Sequence, residues 1–276
     1  MPYVKTRDAV DLYVKDWNPS GAGRPVILIH GWPLSADSWD DQAHALASAG
    51  HRVIAYDRRG FGRSGQPWRG YDYDTLADDL AAVIEATGVT DATVIGFSMG
   101  GGEVARYMSR HGGRGIVKAG LLSSVVPFML KTDDNPDGVD ASVFEGIRLG
   151  LLKDRPHFLA NFLQQFYGVG WISSPVSQEL LDWSLQVAMQ AGLKGTLDCV
   201  DAFSSTDFRP DLPAFAVPTL IIHGTSDATV PIKTSAQAAA AGIAQSTLIE
   251  YEGAPHGLLA TEKDRVTQDL REFLSI

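Results

Sequence analysis

Gly96-Phe97-Ser98-Met99-Gly100 follows an apolar run, Ala92 to Ile95, and precedes Val104, Tyr107 and Met108 at helical spacing. The pattern predicts a short buried strand, a very tight turn and a helix. Glycines two positions either side of Ser98 leave room where side chains would collide. Such a turn lifts the Ser98 hydroxyl above the sheet edge. It also turns the Met99 backbone N–H, at a helix N-terminus, toward an oxyanion formed there. The chemistry that suits these residues is acyl transfer. A serine hydroxyl is a poor nucleophile at neutral pH, so it needs a base within hydrogen-bond reach, and the base needs an orienting carboxylate.

In a strand–turn–helix setting the expected chain order is serine, then acid, then histidine. Ile222-His223-Gly224-Thr225-Ser226-Asp227 ends a buried run with a glycine turn and supplies Asp227. Tyr251-Glu252-Gly253-Ala254-Pro255-His256-Gly257 ends the next run and supplies His256. Asp201 and Asp207 are rivals for the acid, but they fall in a helical segment rather than at a strand end. His44, His51, His111 and His157 sit on helices or before strands, where surface or packing roles suffice. His30 and His223 sit at strand ends, each directly before a glycine, which suggests that they shape the backbone of those turns. His256 would take the Ser98 proton and return it to the leaving group, while Asp227 holds the tautomer. The second oxyanion donor is expected from His30-Gly31-Trp32-Pro33, through the Trp32 amide, because Pro33 has no N–H. Trp32, Pro33, Phe97, Phe128, Phe162 and Phe166 are the candidates for an apolar acyl pocket. For Phe128, Phe162 and Phe166, ordinary packing is an equally good reading.

The elements that must hold these residues alternate. Residues 2–5 and 10–17 read as a hairpin, and residues 25–29, 52–56, 92–95, 115–123, 217–222 and 247–251 as further strands. Helices are expected over 38–49, 73–87, 233–241 and 261–274 and after Ser98. Strands alternating with helices predict an α/β fold with a mainly parallel sheet of about eight strands. The alternation stops after Pro127. Val143, Phe144, Ile147, Leu151 and Leu152 form one helical stripe, Phe158, Phe162 and Phe166 a second, and Leu180, Leu181, Leu185 and Val187 a third. The expected division is a core of residues 1–127 and 211–276 with a helical cap over 128–210.

A net charge of −10 argues against a nucleic-acid or anionic-membrane partner. The single cysteine, Cys199, excludes an internal disulfide, and packing is its expected role. No metal-type Cys/His cluster stands out, and neither a signal peptide nor a membrane span is legible. The chain therefore reads as cytoplasmic, with no cofactor and no metal.

Four stretches together go beyond the serine motif: His30-Gly-Trp-Pro-Leu-Ser-Ala-Asp-Ser-Trp39, Tyr56-Asp-Arg-Arg-Gly-Phe-Gly-Arg-Ser64, Gly96-Phe-Ser-Met-Gly-Gly-Gly102 and Thr206-Asp-Phe-Arg-Pro-Asp211. With them the chain resembles the α/β-hydrolase superfamily over nearly its whole length. Within it, the chain looks like the cofactor-free haloperoxidase (non-haem chloroperoxidase), arylesterase and perhydrolase group. The resemblance implies Ser98, Asp227 and His256 as the triad and the Trp32 and Met99 amides as the oxyanion donors. It implies hydrolysis of small aryl esters and, with hydrogen peroxide and a carboxylic acid, formation of a peracid that oxidises halide without a metal. An acyl-Ser98 can be attacked by water or by peroxide, and a carbonyl near Trp32 and Pro33 could hold the distal peroxide O–H. The resemblance also suggests a homo-oligomer.

Other readings remain compatible. A lactonase or a carbon–carbon bond hydrolase would use the same triad. A ligand-binding scaffold without turnover is permitted by the fold alone. Ser98 disfavours a dehalogenase or an epoxide hydrolase, which would need a carboxylate there. Because Trp32 is expected to act through its amide, Trp32→Ala should change substrate range more than chemistry. Steady-state and acyl-enzyme kinetics check this, and a collapsed deacylation rate with substrate binding intact would contradict it.

Overall fold

The computed structural model describes residues 2–170 and 174–275. Eight strands form one sheet in the order β1-β2-β4-β3-β5-β6-β7-β8. They are β1 (Tyr3–Lys5), β2 (Asp11–Trp17), β3 (Gly23–Ile29), β4 (His51–Tyr56), β5 (Ala92–Phe97), β6 (Ile116–Leu122), β7 (Thr219–Gly224) and β8 (Ser246–Tyr251). The expected hairpin forms, with Tyr3 opposite Tyr13, and β2 then joins the sheet antiparallel to β4. The remaining neighbours are parallel. Every residue of β5 and of β7 is buried, as their unbroken apolar runs demand in a sheet covered on both faces.

The covering helices are α1 (Asp40–Ser48), α2 (Tyr73–Thr87), α3 (Met99–Arg110), α7 (Ala236–Gly242), α8 (Leu258–Thr261) and α9 (Lys263–Ser275). Between β6 and β7 lie α4 (Ala141–Phe166), α5 (Gln178–Met189) and α6 (Leu193–Ser205). α2 matches its expected bounds because both ends are written locally. Asp72 accepts from the Thr75 N–H at 2.9 Å, and Gly88 takes the left-handed conformation (φ 63°) that closes the helix.

Two local expectations need correcting. The helix expected over 38–49 is a 3-10 turn, Ala36–Trp39, followed by α1, because the Ser35 side chain caps Asp37 N–H first. The helix expected over 261–274 forms as α9, with the short α8 before it. In α4, Asp154 leaves helical geometry (φ −160°, ψ 86°), and its carboxylate accepts from the His157 N–H at 3.1 Å. It caps a second helical segment, with Pro156 in that segment's first turn, where a missing N–H costs nothing. The Val143–Leu152 stripe is accordingly not one buried face: Phe144 and Leu151 are buried, whereas Val143 is 51% and Leu152 59% exposed.

The junction of β5 with α3 is the tightest place in the fold. A Cβ on Gly96 would lie 2.3 Å from the Gly100 carbonyl oxygen, and one on Gly100 would lie 2.6 Å from that of Ile29. Both obstacles are backbone and cannot swing aside. Gly96→Ala is therefore expected to cost about 2–3 kcal/mol of folding stability, read from urea unfolding. An unchanged midpoint would contradict this close approach.

Candidate active site

Ser98 occupies the turn with φ 54° and ψ −119°, a backbone region that L-residues rarely adopt and that typically costs ~1–3 kcal/mol. Its N–H donates to the Leu122 carbonyl at 2.8 Å, which ties the strained turn to β6. The loops after β7 and β8 bring Asp227 and His256 to it. His256 Nε2 lies 2.9 Å from Ser98 Oγ, and His256 Nδ1 lies 2.6 Å from Asp227 Oδ2. All three side chains are buried. Asp227 Oδ1 accepts from the N–H groups of Thr229 and Val230, at 2.9 and 2.8 Å. Burial alone would raise the Asp227 carboxyl, but His256 and His223 hold it well below the usual carboxylate range. It therefore stays ionised and fixes the proton of the imidazole on Nδ1, leaving Nε2 free to accept from the serine.

Trp32 and Met99, whose amides were named from the sequence, border the same cavity as Ser98. Trp32, Ser98 and Met99 all line a space of about 50 Å³. Met99 opens α3, so its N–H has no intrahelical partner, and among the described residues neither it nor the Trp32 N–H meets a backbone acceptor. The Trp32 indole is fixed separately, through Nε1–H to the Thr196 carbonyl at 3.1 Å and edge-on contacts with Phe162 and Phe203.

Four of the six expected pocket residues do not line this cavity. Phe97 and Phe166 pack on the His256 ring instead, with centroids 5.2 and 4.8 Å away. They border a separate cavity with Leu34, Leu180 and Trp183. Phe128 lies under the Arg209 guanidinium at 5.0 Å, and Pro33 is buried outside the cavity. Of the six, Trp32 and Phe162 border the cavity beside Ser98. The other walls are Val125, Met129, Val139, Val143, Phe144, Ile147, Phe203, Thr229 and Val230. Val143, Phe144 and Ile147 were visible as a helical stripe, but a stripe does not say whether it faces protein or an empty space. Val143, Ile147, Phe162 and Thr229 also line an open groove of about 430 Å³ that continues over Phe158 toward His157 and Asn161.

The rival residues have other partners. Asp201 pairs with Arg148 and Asp207 with Arg209. Burial pushes the Cys199 thiol up to about 12, which leaves it unreactive. Burial and the nearby Arg58 charge push His30 well below the ordinary histidine range. The neutral His30 ring accepts the Arg58 N–H at Nε2 (2.9 Å) and donates from Nδ1 to the Gly31 carbonyl (2.9 Å), so it does shape the turn before Trp32. His223 does more than shape a turn. Its Nε2 reaches Asp227 Oδ2 itself, at 3.1 Å.

A buried ion pair braces the His30 turn. Arg58 donates to the His30 carbonyl at 2.6 Å and pairs with Glu103 on α3, which also accepts from the Tyr56 hydroxyl at 2.5 Å. Arg58 and Glu103 are completely buried. Burial pushes the Glu103 carboxyl above its ordinary value, and Arg58 and Tyr56 pull it back part of the way. Glu103→Leu strands the guanidinium and should cost ~3–5 kcal/mol, while adding Arg58→Met should recover much of the loss. Chemical denaturation of the two variants checks both signs, and a double variant no more stable than the single one would be the contrary result.

The chain is similar to known proteins along its whole length. A model of the alpha/beta hydrolase fold family matches residues 24–263. A non-heme chloroperoxidase of Kitasatospora aureofaciens is 43% identical, with 100% of each chain covered. A bifunctional esterase/perhydrolase of Acinetobacter calcoaceticus is 44% identical, with 99% of each covered. The crystal structure of a bromoperoxidase from Bacillus anthracis superposes with a TM-score of 0.95 at 44% identity, covering 99% of both chains.

Proposed function

The chain belongs to the α/β-hydrolase family and is an enzyme of its esterase, perhydrolase and non-heme haloperoxidase group, and on that premise we propose a serine hydrolase that acts on short-chain aryl esters through an acyl-enzyme at Ser98. The observation that carries this mechanism is the unbroken relay Ser98–His256–Asp227, at 2.9 and 2.6 Å. In the first half-reaction Ser98 Oγ attacks the ester carbonyl and its proton passes to His256 Nε2. The Trp32 and Met99 N–H groups take the charge that develops on the carbonyl oxygen, a contribution of about 3–4 kcal/mol per donor. His256 then gives the proton to the departing aryloxide. In the second half-reaction water attacks the acyl carbon, His256 removes its proton, and the carboxylic acid leaves with Ser98 restored. Hydrogen peroxide in place of water gives the peracid by the same proton transfers. The peracid, once released, oxidises halide in solution, so the protein itself supplies only acyl transfer.

The dimensions favour particular substrates. One water needs about 10–15 Å³ of cavity, so the 50 Å³ beside Ser98 suits an acyl group of a few heavy atoms. The larger groove over Phe158 and Phe162 suits a flat leaving group. In this reading residues 128–210 form a cap that supplies walls to both spaces. Among the described residues no helix is long and apolar enough to cross a membrane. A cytoplasmic, homo-oligomeric protein without nucleic-acid or membrane partner belongs to the proposal too, supported by charge and resemblance.

The test pairs the wild type with Ser98→Ala on p-nitrophenyl acetate, with and without peroxide and acetate. Loss of both ester turnover and peroxide-dependent product in the variant, by at least about 10³-fold, is expected. Turnover that survives in Ser98→Ala would assign the nucleophile elsewhere, and an inert wild type would favour a binding scaffold.

A further inference from the structure

Asp227 is held by two imidazoles, of which only His256 faces Ser98. Its Oδ2 lies 2.6 Å from His256 Nδ1 and 3.1 Å from His223 Nε2. The same His223 nitrogen lies 2.8 Å from the Val230 carbonyl oxygen. Both neighbours of Nε2 are acceptors, so Nε2 carries the hydrogen, which bonds the Val230 carbonyl and also faces Asp227 Oδ2. Nδ1 is then a bare acceptor, and among the described residues it meets no donor. His223 is completely buried, near the end of β7. A buried ring with an unsatisfied nitrogen is a poor way to fill a core, because an apolar side chain of similar shape carries no such penalty. What the histidine supplies, and Leu or Phe would not, is a second N–H on the carboxylate oxygen that faces the base.

Resting on the serine-hydrolase reading above, we propose that His223 is a positioning residue of this active site, tethering the Asp227 carboxylate through Nε2–H and setting the acceptor that Asp227 offers to His256. With Thr229 and Val230 on Oδ1, His223 brings the N–H groups on this carboxylate to four, which fixes its plane. The second N–H on Oδ2 also draws charge away from the bond to His256 and so limits how strongly the carboxylate favours the imidazolium. His223 gives up no proton in this role. Among the described residues Asp227 is the one titratable group paired with the His223 ring, and His256 is the other that Asp227 pairs with.

The experiment compares wild type, His223→Leu and His223→Gln in the full-length protein. A glutamine amide nitrogen reaches roughly the position of Nε2, so His223→Gln restores the donor without the ring. The readout is kcat and kcat/KM for p-nitrophenyl acetate against pH, per active site titrated with diethyl p-nitrophenyl phosphate. Titration removes unfolded protein from the comparison. In His223→Leu the carboxylate loses a donor and becomes the stronger acceptor. The acid limb of kcat/KM should then move up by about half a pH unit and kcat per site fall about tenfold, with KM within about twofold. His223→Gln should return the limb to its wild-type place. An acid limb that stays put in His223→Leu, or a displaced limb that His223→Gln fails to restore, overturns the proposal. Should His223→Leu not fold, His223→Asn, whose amide reaches only the Nδ1 position, takes its place with the same expected shift. Failure of the underlying hydrolase reading looks different: turnover would then survive Ser98→Ala.

Discussion

No Cβ fits at positions 96 and 100, and the site is built outward from that steric limit. Because the chain reverses within so few atoms, Ser98 is forced to positive φ, its hydroxyl stands clear of β5, and the first amides of α3 are left without partners. The strain is local and the restraint is distributed. β5 is hydrogen-bonded on both sides, to β3 and β6, and the Ser98 N–H is itself spent on Leu122. A turn this costly persists only where rigid neighbours over-determine it.

His256 is held by a different part of the chain. Phe97, the residue before Ser98, and Phe166, the last residue of α4, both pack on the His256 ring. The Phe166 carbonyl also accepts from the Gly257 N–H at 2.8 Å. The segment between β6 and β7 thus does more than line the cavity, since its first helix ends against the His256 ring. Aromatic contacts fix the plane of the imidazole, while Asp227 fixes its tautomer, and neither can substitute for the other.

Much of the buried charge in this protein serves to hold backbone. Asp57 accepts from the Ala36 N–H and from Arg63, which secures the chain after the Trp32 turn. Arg58, Glu103 and His30 secure the chain before it. Asp211 pairs with Arg106 and accepts from Ser109, joining the segment ahead of β7 to α3. These groups lie in low dielectric, where an unpaired charge would be severely penalised, so each pairing specifies one loop conformation. Stretches that served in the sequence as marks of a family resemblance are, in space, the braces of three loops.

The grouping of Ser98, Asp227 and His256 was legible from the sequence because all three lie at strand ends in a fixed order, and strand ends are written locally as apolar runs closed by glycine turns. The α/β alternation, the bounds of α2 and the helical character of residues after Pro127 were legible for the same reason: burial periodicity and capping are properties of neighbouring residues. What lines the cavity was not. Phe97 and Phe128 have the composition of pocket residues, yet one packs on His256 and the other under Arg209. Val143 and Ile147 carried no mark separating a cavity wall from a packed face. The contact of His223 with Asp227 was equally hidden, because a histidine before a glycine reads as a turn residue until the fold shows which atoms its ring meets. Side-chain type and spacing determine which elements form and which residues reach the same edge of the sheet. The direction in which each side chain points, and hence which partner it meets, depends on segments distant in the chain, and only the tertiary structure decides it.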